Sequence, residues 1–118
     1  IINYNSMPKE QFLKAMRFLA ASVSVISAKD SSGKTYAMTA SSVTSLSIDP
    51  PAILVCVNKE ATIHDVLIED ERLCVNILKK NQQEISNLCS TKKLESQRFE
   101  NDYWDVTEIP FIKNAQSN

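Results

Sequence analysis

The sequence predicts a mainly β fold, an antiparallel barrel with short helices at its ends. Three observations lead to this prediction. Several short β-prone runs are separated by turn residues, and they do not alternate strictly with helices. The run at 52–57 is continuously apolar, as in a buried strand. With 118 residues, of which 43% are hydrophobic and 23% charged, the composition is that of one globular domain over 1–118.

The first elements are a helix and a strand. Apolar residues recur at helical spacing over 8–21, which predicts an amphipathic helix. The β-branched run at 22–28 predicts a strand. The turn at 29–34 contains Gly33, the single glycine, where a left-handed backbone conformation is expected. The next strand should therefore return antiparallel to the first.

A long β-prone segment follows at 35–48, with hydroxyl side chains at many positions. Its apolar residues do not keep strict alternation, so we expect a bend or bulge near Ser41 and Ser42. Asp49-Pro50-Pro51 should end the strand ladder, because proline has no N–H to donate. The apolar run at 52–57 is then expected to be covered on both faces, at the centre of the barrel.

Helices and strands are shorter in the second half. We expect a helix at 62–72 with Thr62 as its N-cap, and a strand at 73–78. Asn81 and Glu84 have the spacing of a capping box opening the next helix. The run at 109–112 resembles the start of a further strand.

Composition excludes several classes of function. The net charge of −1 gives no attraction to nucleic acid or to an anionic membrane, and no apolar run is long enough to cross a bilayer. Cys56, Cys74 and Cys89 are odd in number and lack metal-ligand spacing, so we expect buried thiols, no metal site and a cytoplasmic protein. The lysine pairs at 79–80 and 92–93 are typical of solvated faces.

Side-chain catalysis is not expected. His64 is the single histidine, and neighbouring helical residues point about 100° apart, so Asp65 is not expected to orient its ring. No serine stands on a glycine-flanked nucleophile elbow. If the protein is an enzyme, a cofactor should carry the chemistry.

Two polar stretches have both a functional and a structural interpretation. Lys59 and Thr62 stand at the expected start of a helix, where free N–H groups can bind a phosphate. Taken alone, the local sequence favours an ordinary capped helix with a surface lysine. The hydroxyl-rich segment 39–42 can line a polar ligand or simply face solvent.

The order of the motifs distinguishes these interpretations. The segment "MTASSVTSLSIDPP" precedes the apolar strand, "TIHDVL" (62–67) opens the next helix, and "RF" stands at 98–99. This arrangement resembles the flavin reductase-like family, the FMN-binding split barrels that supply reduced flavin to two-component monooxygenases. The resemblance extends from the first helix to Phe111.

The resemblance implies a set of flavin-binding residues. Residues 39–42 would lie along the flavin, 56–58 would line the edge of its ring, and Lys59 with Thr62 would hold the ribityl phosphate. Asn76 would lie near the flavin, and Arg98 falls where the family has a loop over the active site. The implied cofactor-binding residues are Thr39, Ala40, Ser41, Ser42, Cys56, Val57, Asn58, Lys59, Thr62 and Asn76.

The implied activity is hydride transfer from NADH or NADPH to FMN or FAD, with reduced flavin passed to a partner oxygenase. A homodimer is expected. Two departures from the family pattern favour an alternative, a non-catalytic flavin-binding or dimerisation module. Ser22 and Ala37 stand where the family has glycines, and the family's further C-terminal strands are not present, which suggests a domain incomplete at its C-terminus. A structural barrel without a ligand is a third possibility.

Overall fold

The structure, a computed structural model, describes residues 9–11, 13 and 23–118. Residues 9–11 and 13 are helical; the rest of the helix predicted at 8–21, and Ser22, lie outside the described residues. From residue 23 onward the elements are β1 (Ser24–Lys29), β2 (Thr35–Ala40), β3 (Val43–Ile48), β4 (Pro51–Val55), α1 (Ile63–Glu69), β5 (Cys74–Ile77), α2 (Gln83–Ser90), a 3₁₀ helix (Lys92–Gln97), β6 (Trp104–Asp105) and β7 (Phe111–Ile112).

An antiparallel sheet of order β2-β1-β5 forms the centre of the described fold. Its β1–β2 turn contains Gly33 at φ 88°, as expected for the only residue type without a Cβ. The Asp30 carboxylate organises the turn by accepting the backbone N–H groups of Ser32 and Lys34, each at 2.9 Å. The predicted turn and the antiparallel return of the second strand are both confirmed.

Side chains alternate between the two faces of the central sheet along each strand. Both faces are buried, because each is covered by other parts of the chain. One face packs against α1 and includes Ile26, Ala28, Ala40, Ile63 and Val66. The other packs against α2 and the β6–β7 pair and includes Val25, Ala37, Ile85, Cys89, Trp104 and Ile112. Beyond β5, residues 116 and 117 hydrogen-bond to Ile77 and extend the sheet, whereas β2 is its other edge.

The predicted break at Ser41 and Ser42 is confirmed, and it separates two sheets. β2 ends at Ala40, and β3 begins at Val43 in an antiparallel hairpin with β4. The register shifts between Ser45 and Ser47, which is the irregularity expected where apolar alternation fails.

The expected burial of 52–57 is wrong. β4 ends at Val55 and pairs with β3 alone, and Ile53 and Leu54 remain 52% and 47% exposed. A continuous apolar run fixes the type of element but not which other element covers it. Within the described residues the strands form three separate sheets and no closed barrel, while the mainly β, antiparallel class with short helices is confirmed.

The expected capping box at Asn81 and Glu84 is also wrong. α2 begins at Gln83, and its N-cap residue Gln82 makes no side-chain cap. The Gln82 side chain instead accepts the N–H of Lys79 at 2.7 Å and donates to the carbonyl of Asn114 at 2.9 Å. The Gln82 side chain is thus used to close the preceding turn.

In the described helices, no stretch is both long and apolar enough to cross a membrane.

Candidate functional site

A cavity of about 410 Å³ lies at the end of β2, and we call it the strand-end cavity. It is bounded by β2 with the residue after it (38–41), the loop leading into α1 (58–63), the C-terminal half of α2 (86–90) and the 3₁₀ region (92–98). Segments distant in sequence therefore meet at one place. The volume is within the range of small-molecule sites in proteins.

Four of the ten predicted cofactor-binding residues line this cavity: Thr39, Ser41, Asn58 and Thr62. Asn58 shapes its loop by accepting the N–H of Glu60 at 3.0 Å. Thr62 occupies the N-cap position of α1 as predicted, but its side chain makes no capping hydrogen bond. The Thr62 hydroxyl is therefore available to a ligand.

The edge of β2 contributes both side-chain and backbone groups. The Thr39 hydroxyl donates to the carbonyl of Ser86 at 2.6 Å, which connects β2 to α2. On the side away from β1, the carbonyl of Ala37 accepts the Arg98 guanidinium at 2.7 Å. Because backbone groups of alternate residues project to the same side of a strand, those of Thr39 also face away from β1 and are free of the ladder.

Five predicted residues near the cavity do not line it. Ala40 is buried in the core facing α1, and Val57 packs against the same core. Ser42 offers its carbonyl to the N–H of Cys56 at 3.2 Å, which continues the hairpin. The side chains of Cys56 and Lys59 are exposed, so the expectation that Cys56 is a buried thiol is wrong.

Asn76 is placed differently from the prediction. It is 0% exposed, and its amide donates to the carbonyl of Val25 at 2.9 Å and to the Ser27 hydroxyl at 3.0 Å. Its oxygen accepts the N–H of Ile112 and the Asn118 side chain, both at 2.8 Å. All four hydrogen-bonding positions of the amide are used inside the chain, so none remains for a flavin. The implied contact with a ligand is corrected to a structural role.

Arg98 has a larger role than a loop residue. It is 7% exposed and donates to the carbonyls of Leu88 and Thr91, both at 3.2 Å, and to that of Ala37. The carbonyls of Leu88 and Thr91 belong to the C-terminal end of α2, where a cation is stabilising. The motif "RF" was the available signal, but it gave no indication of these long-range partners.

Ala37 stands at one of the two positions where the family has glycine, so its methyl group could crowd a ligand at the edge of β2. Its methyl group is instead buried in the core beside α2, packed with Val25 and Trp104. The departure from glycine therefore does not put a Cβ into the cavity.

The cavity is equipped for binding rather than for side-chain catalysis. Burial raises the pKa of the Cys89 thiol to about 11, against the opposing charge of Arg98, so the thiol stays protonated at neutral pH. His64 Nδ1 does lie 3.0 Å from Asp65 Oδ1, which corrects the expectation from helical geometry, because the two side chains bend toward each other. Neither residue lines the cavity. In the described chain no cluster of three or more acidic, cysteine or histidine residues could hold a metal.

This antiparallel fold is shared with a known class of proteins. The chain belongs to the flavin reductase like domain family, whose model matches residues 16–118. It is 39% identical over 107 residues to the FMN reductase (NADH) RutF of Pseudomonas syringae, an alignment covering 89% of this chain and 60% of that protein. The chain thus spans about three fifths of the length of this relative.

Two solved structures show the same fold. A flavin reductase domain protein from Arthrobacter sp. FB24 superposes with a TM-score of 0.78 at 27% identity, over 92% of this chain and 67% of that one. The styrene monooxygenase flavin reductase (SMOB) of Pseudomonas putida S12 superposes with a TM-score of 0.76 at 26% identity, over 89% and 67%.

Proposed function

We propose that the protein is an NADH-dependent flavin reductase that transfers hydride from reduced nicotinamide to FMN. The observation that carries the proposal is the convergence of Thr39, Ser41, Asn58 and Thr62 on the strand-end cavity. Family membership and the similarity to an FMN reductase that uses NADH support the choice of reaction and of both nucleotides.

The residues present fit a flavin. The free hydroxyl of Thr62, the exposed Ser41 and the amide of Asn58 can hydrogen-bond the polar ribityl phosphate chain. Lys92 and Arg98 also line the cavity and can attract the phosphate, although the carboxylates of Glu60 and Glu95 line it as well. When bound, the flavin ring supplies the hydride-accepting chemistry.

The chain's own part in the reaction is to bind and orient. The backbone groups of Thr39 at the edge of β2 can hydrogen-bond the ring and hold it in a fixed plane. Met38 and Ile63 give the cavity an apolar surface, which limits water near the reacting atoms. Hydride transfer between two aligned rings needs no acid or base from the protein, which agrees with a protonated Cys89 thiol.

We also propose that residues 1–118 form one domain that associates as a homodimer. The β3–β4 hairpin supports this, because Leu46 and Ile48 are 66% and 89% exposed. A cytoplasmic location is supported by three free cysteines. Delivery of reduced flavin to a partner oxygenase is supported by the likeness to the styrene monooxygenase reductase.

The test is NADH oxidation with excess FMN, followed by the absorbance of reduced nicotinamide, alongside an FMN titration. Ser41→Ala and Thr62→Val should each weaken FMN binding about two- to tenfold, because each removes one hydrogen bond. Ser31→Ala, an exposed serine in the β1–β2 turn, is the matched control and should leave binding unchanged.

Absence of NADH oxidation above background would refute the reductase. If FMN bound tightly without turnover, the result would favour a non-catalytic flavin-binding module. A protein with no flavin affinity would exclude both.

A further inference from the structure

The Thr39 side chain lines the strand-end cavity, and its hydroxyl is already engaged within the chain. The hydroxyl donates to the carbonyl oxygen of Ser86 in α2, with 2.6 Å between the two oxygens. A threonine hydroxyl has one hydrogen to donate, so this one has none left for a ring nitrogen or a carbonyl oxygen of a flavin. The donor that Thr39 can offer to such an atom is its backbone N–H.

A second contact holds the same edge of β2. Arg98 donates to the carbonyl of Ala37 at 2.7 Å. The same guanidinium donates to the carbonyls of Leu88 and Thr91 at the end of α2, both at 3.2 Å. Along one edge of a strand, the C=O of one residue and the N–H of the residue two positions later point the same way. Arg98 therefore fixes the edge directly beside the N–H of Thr39.

The groups proposed to hold the ribityl phosphate chain lie on a different segment. Asn58 and Thr62 belong to the loop that leads into α1. α1 covers the opposite face of the central sheet from α2. A displacement of the β2 edge relative to α2 would therefore tilt the ring of a bound flavin, while these two side chains stay in place.

From these contacts we propose that Thr39 is a positioning residue. Its hydroxyl fixes the β2 edge against α2, so that its backbone sets the plane of the flavin ring. The inference rests on the proposed function, because it concerns the flavin bound in the strand-end cavity. It divides two tasks between two parts of one cavity: the loop before α1 provides affinity, and the fixed edge of β2 provides orientation.

Thr39→Val is the direct test, because it replaces the hydroxyl with a methyl group of similar size. A carbon atom approaches a carbonyl oxygen to about 3.3 Å at the closest, whereas the hydroxyl lies at 2.6 Å. The methyl group therefore pushes β2 and α2 apart by roughly 0.7 Å. A misplacement of about 1 Å can cost roughly 100-fold in rate. We expect kcat at saturating FMN and NADH to fall about tenfold, and the Kd for FMN to change less than about twofold.

Three further variants make the comparison specific. Thr39→Ser keeps the hydroxyl and should restore kcat, which a loss of stability alone would not explain. Thr62→Val removes a proposed contact to the ligand, so it should change the Kd for FMN more than it changes kcat. Thr107→Val is the matched control, because it also removes a hydroxyl hydrogen bond of 2.6 Å, to Asp105. Thr107 is exposed and does not line the cavity, so both quantities should stay unchanged.

The visible circular dichroism of bound FMN gives a readout that does not depend on turnover, because a ring held in one orientation shows an induced signal. Thr39→Val should change this signal at saturating FMN, and Thr39→Ser should keep it. Equal kcat and equal dichroism for Thr39→Val and the native chain would overturn the proposal. A weaker Kd for FMN with unchanged kcat would also overturn it, because the hydroxyl would then be a ligand of the flavin.

Failure of this inference is distinguishable from failure of the proposed function. If the native chain oxidises NADH and Thr39→Val behaves in the same way, the positioning role is rejected and the reductase is kept. If FMN binds without turnover and Thr39→Val changes its dichroism, the positioning role is kept and the reductase is rejected. A chain without affinity for FMN would reject both.

Discussion

Replacing Asn76 by alanine tests the hydrogen-bond network that joins the central sheet to the C-terminal segment. The substitution removes two donated hydrogen bonds, to Val25 and Ser27. It also removes three accepted ones, from Ile112, from Asn118 and, at 3.7 Å, from the Cys74 thiol. Ile112 is 1% exposed, so its N–H loses its partner where water does not reach it. Ser27 also donates to the carbonyl of Pro110, so the disturbance extends to the segment before β7.

The magnitude follows from these contacts. An orphaned buried N–H costs about 1–3 kcal/mol, and each further hydrogen bond lost costs about 1 kcal/mol. With the three further bonds to Val25, Ser27 and Asn118, we expect Asn76→Ala to lower the free energy of unfolding by about 4–6 kcal/mol, a large part of the roughly 5–15 kcal/mol typical of a native protein.

Urea denaturation followed by the fluorescence of Trp104, the single tryptophan, measures this loss, because Trp104 lies in the same buried cluster as Ile112. At a slope of about 1–3 kcal/mol per molar urea, a 4 kcal/mol loss lowers the midpoint by about 1.3–4 M. Asn87→Ala, at an exposed position of α2, is the control and should stay within about 0.5 kcal/mol of the native chain. A loss below about 1 kcal/mol for Asn76→Ala would refute the assignment of Asn76 to a structural network.

Four other predictions concern individual residues. Arg98→Lys should lower the free energy of unfolding by about 1.5–3 kcal/mol, because one ammonium cannot reach three divergent carbonyls; an unchanged urea midpoint would contradict this. Gly33→Ala should cost about 1–2 kcal/mol in the same assay through backbone strain alone, because no atom lies within 4 Å of the added methyl, and Gly33→Asn should cost less. In thiol labelling at pH 8, exposed Cys56 should react first and Cys89 last, and the reverse order would contradict the burial of Cys89. Burial raises the pKa of the Cys89 thiol from 9.0 to about 11 in the folded protein, so its protonated form stabilises the fold fully below pH 9. That contribution, about 2–3 kcal/mol, is lost as the pH rises toward 11. The urea stability of Cys89→Ala should not show this loss over the same pH range.

The features predicted correctly from sequence are those encoded by neighbouring residues. Gly33 marks a turn because its backbone conformation is a local property. The break at Ser41 and Ser42 was visible as a failure of alternation within one segment. Thr62 stands at the start of a helix as predicted, but the sequence did not show that its hydroxyl makes no capping hydrogen bond.

The features predicted wrongly depend on partners distant in the chain. The apolar run at 52–57 was correctly predicted to form a strand, but whether another element buries its side chains depends on tertiary packing. Asn76 was assigned to a ligand by resemblance, whereas its side chain bonds to β1, to residues 112 and 118 and to the Cys74 thiol. Arg98 likewise binds carbonyls of β2 and α2, and no local pattern encodes contacts 61 residues apart.

The β3–β4 hairpin gives the two sides of the strand-end cavity different resistance to opening. β2 belongs to a sheet covered on both faces. Among the residues that the structure describes, β3 and β4 pair only with each other, and they leave apolar side chains exposed. Amide hydrogens of the central sheet should therefore exchange with solvent only through near-global unfolding, and those of the hairpin through local opening of much lower free energy. The strand that contains Thr39 then belongs to the slowly exchanging unit, although the free N–H of Thr39 itself should exchange rapidly, and Asn58 follows the rapidly exchanging hairpin. A ligand bridging them would be detected as slowed exchange in the hairpin and at the Thr39 N–H, without a change in the rest of the central sheet.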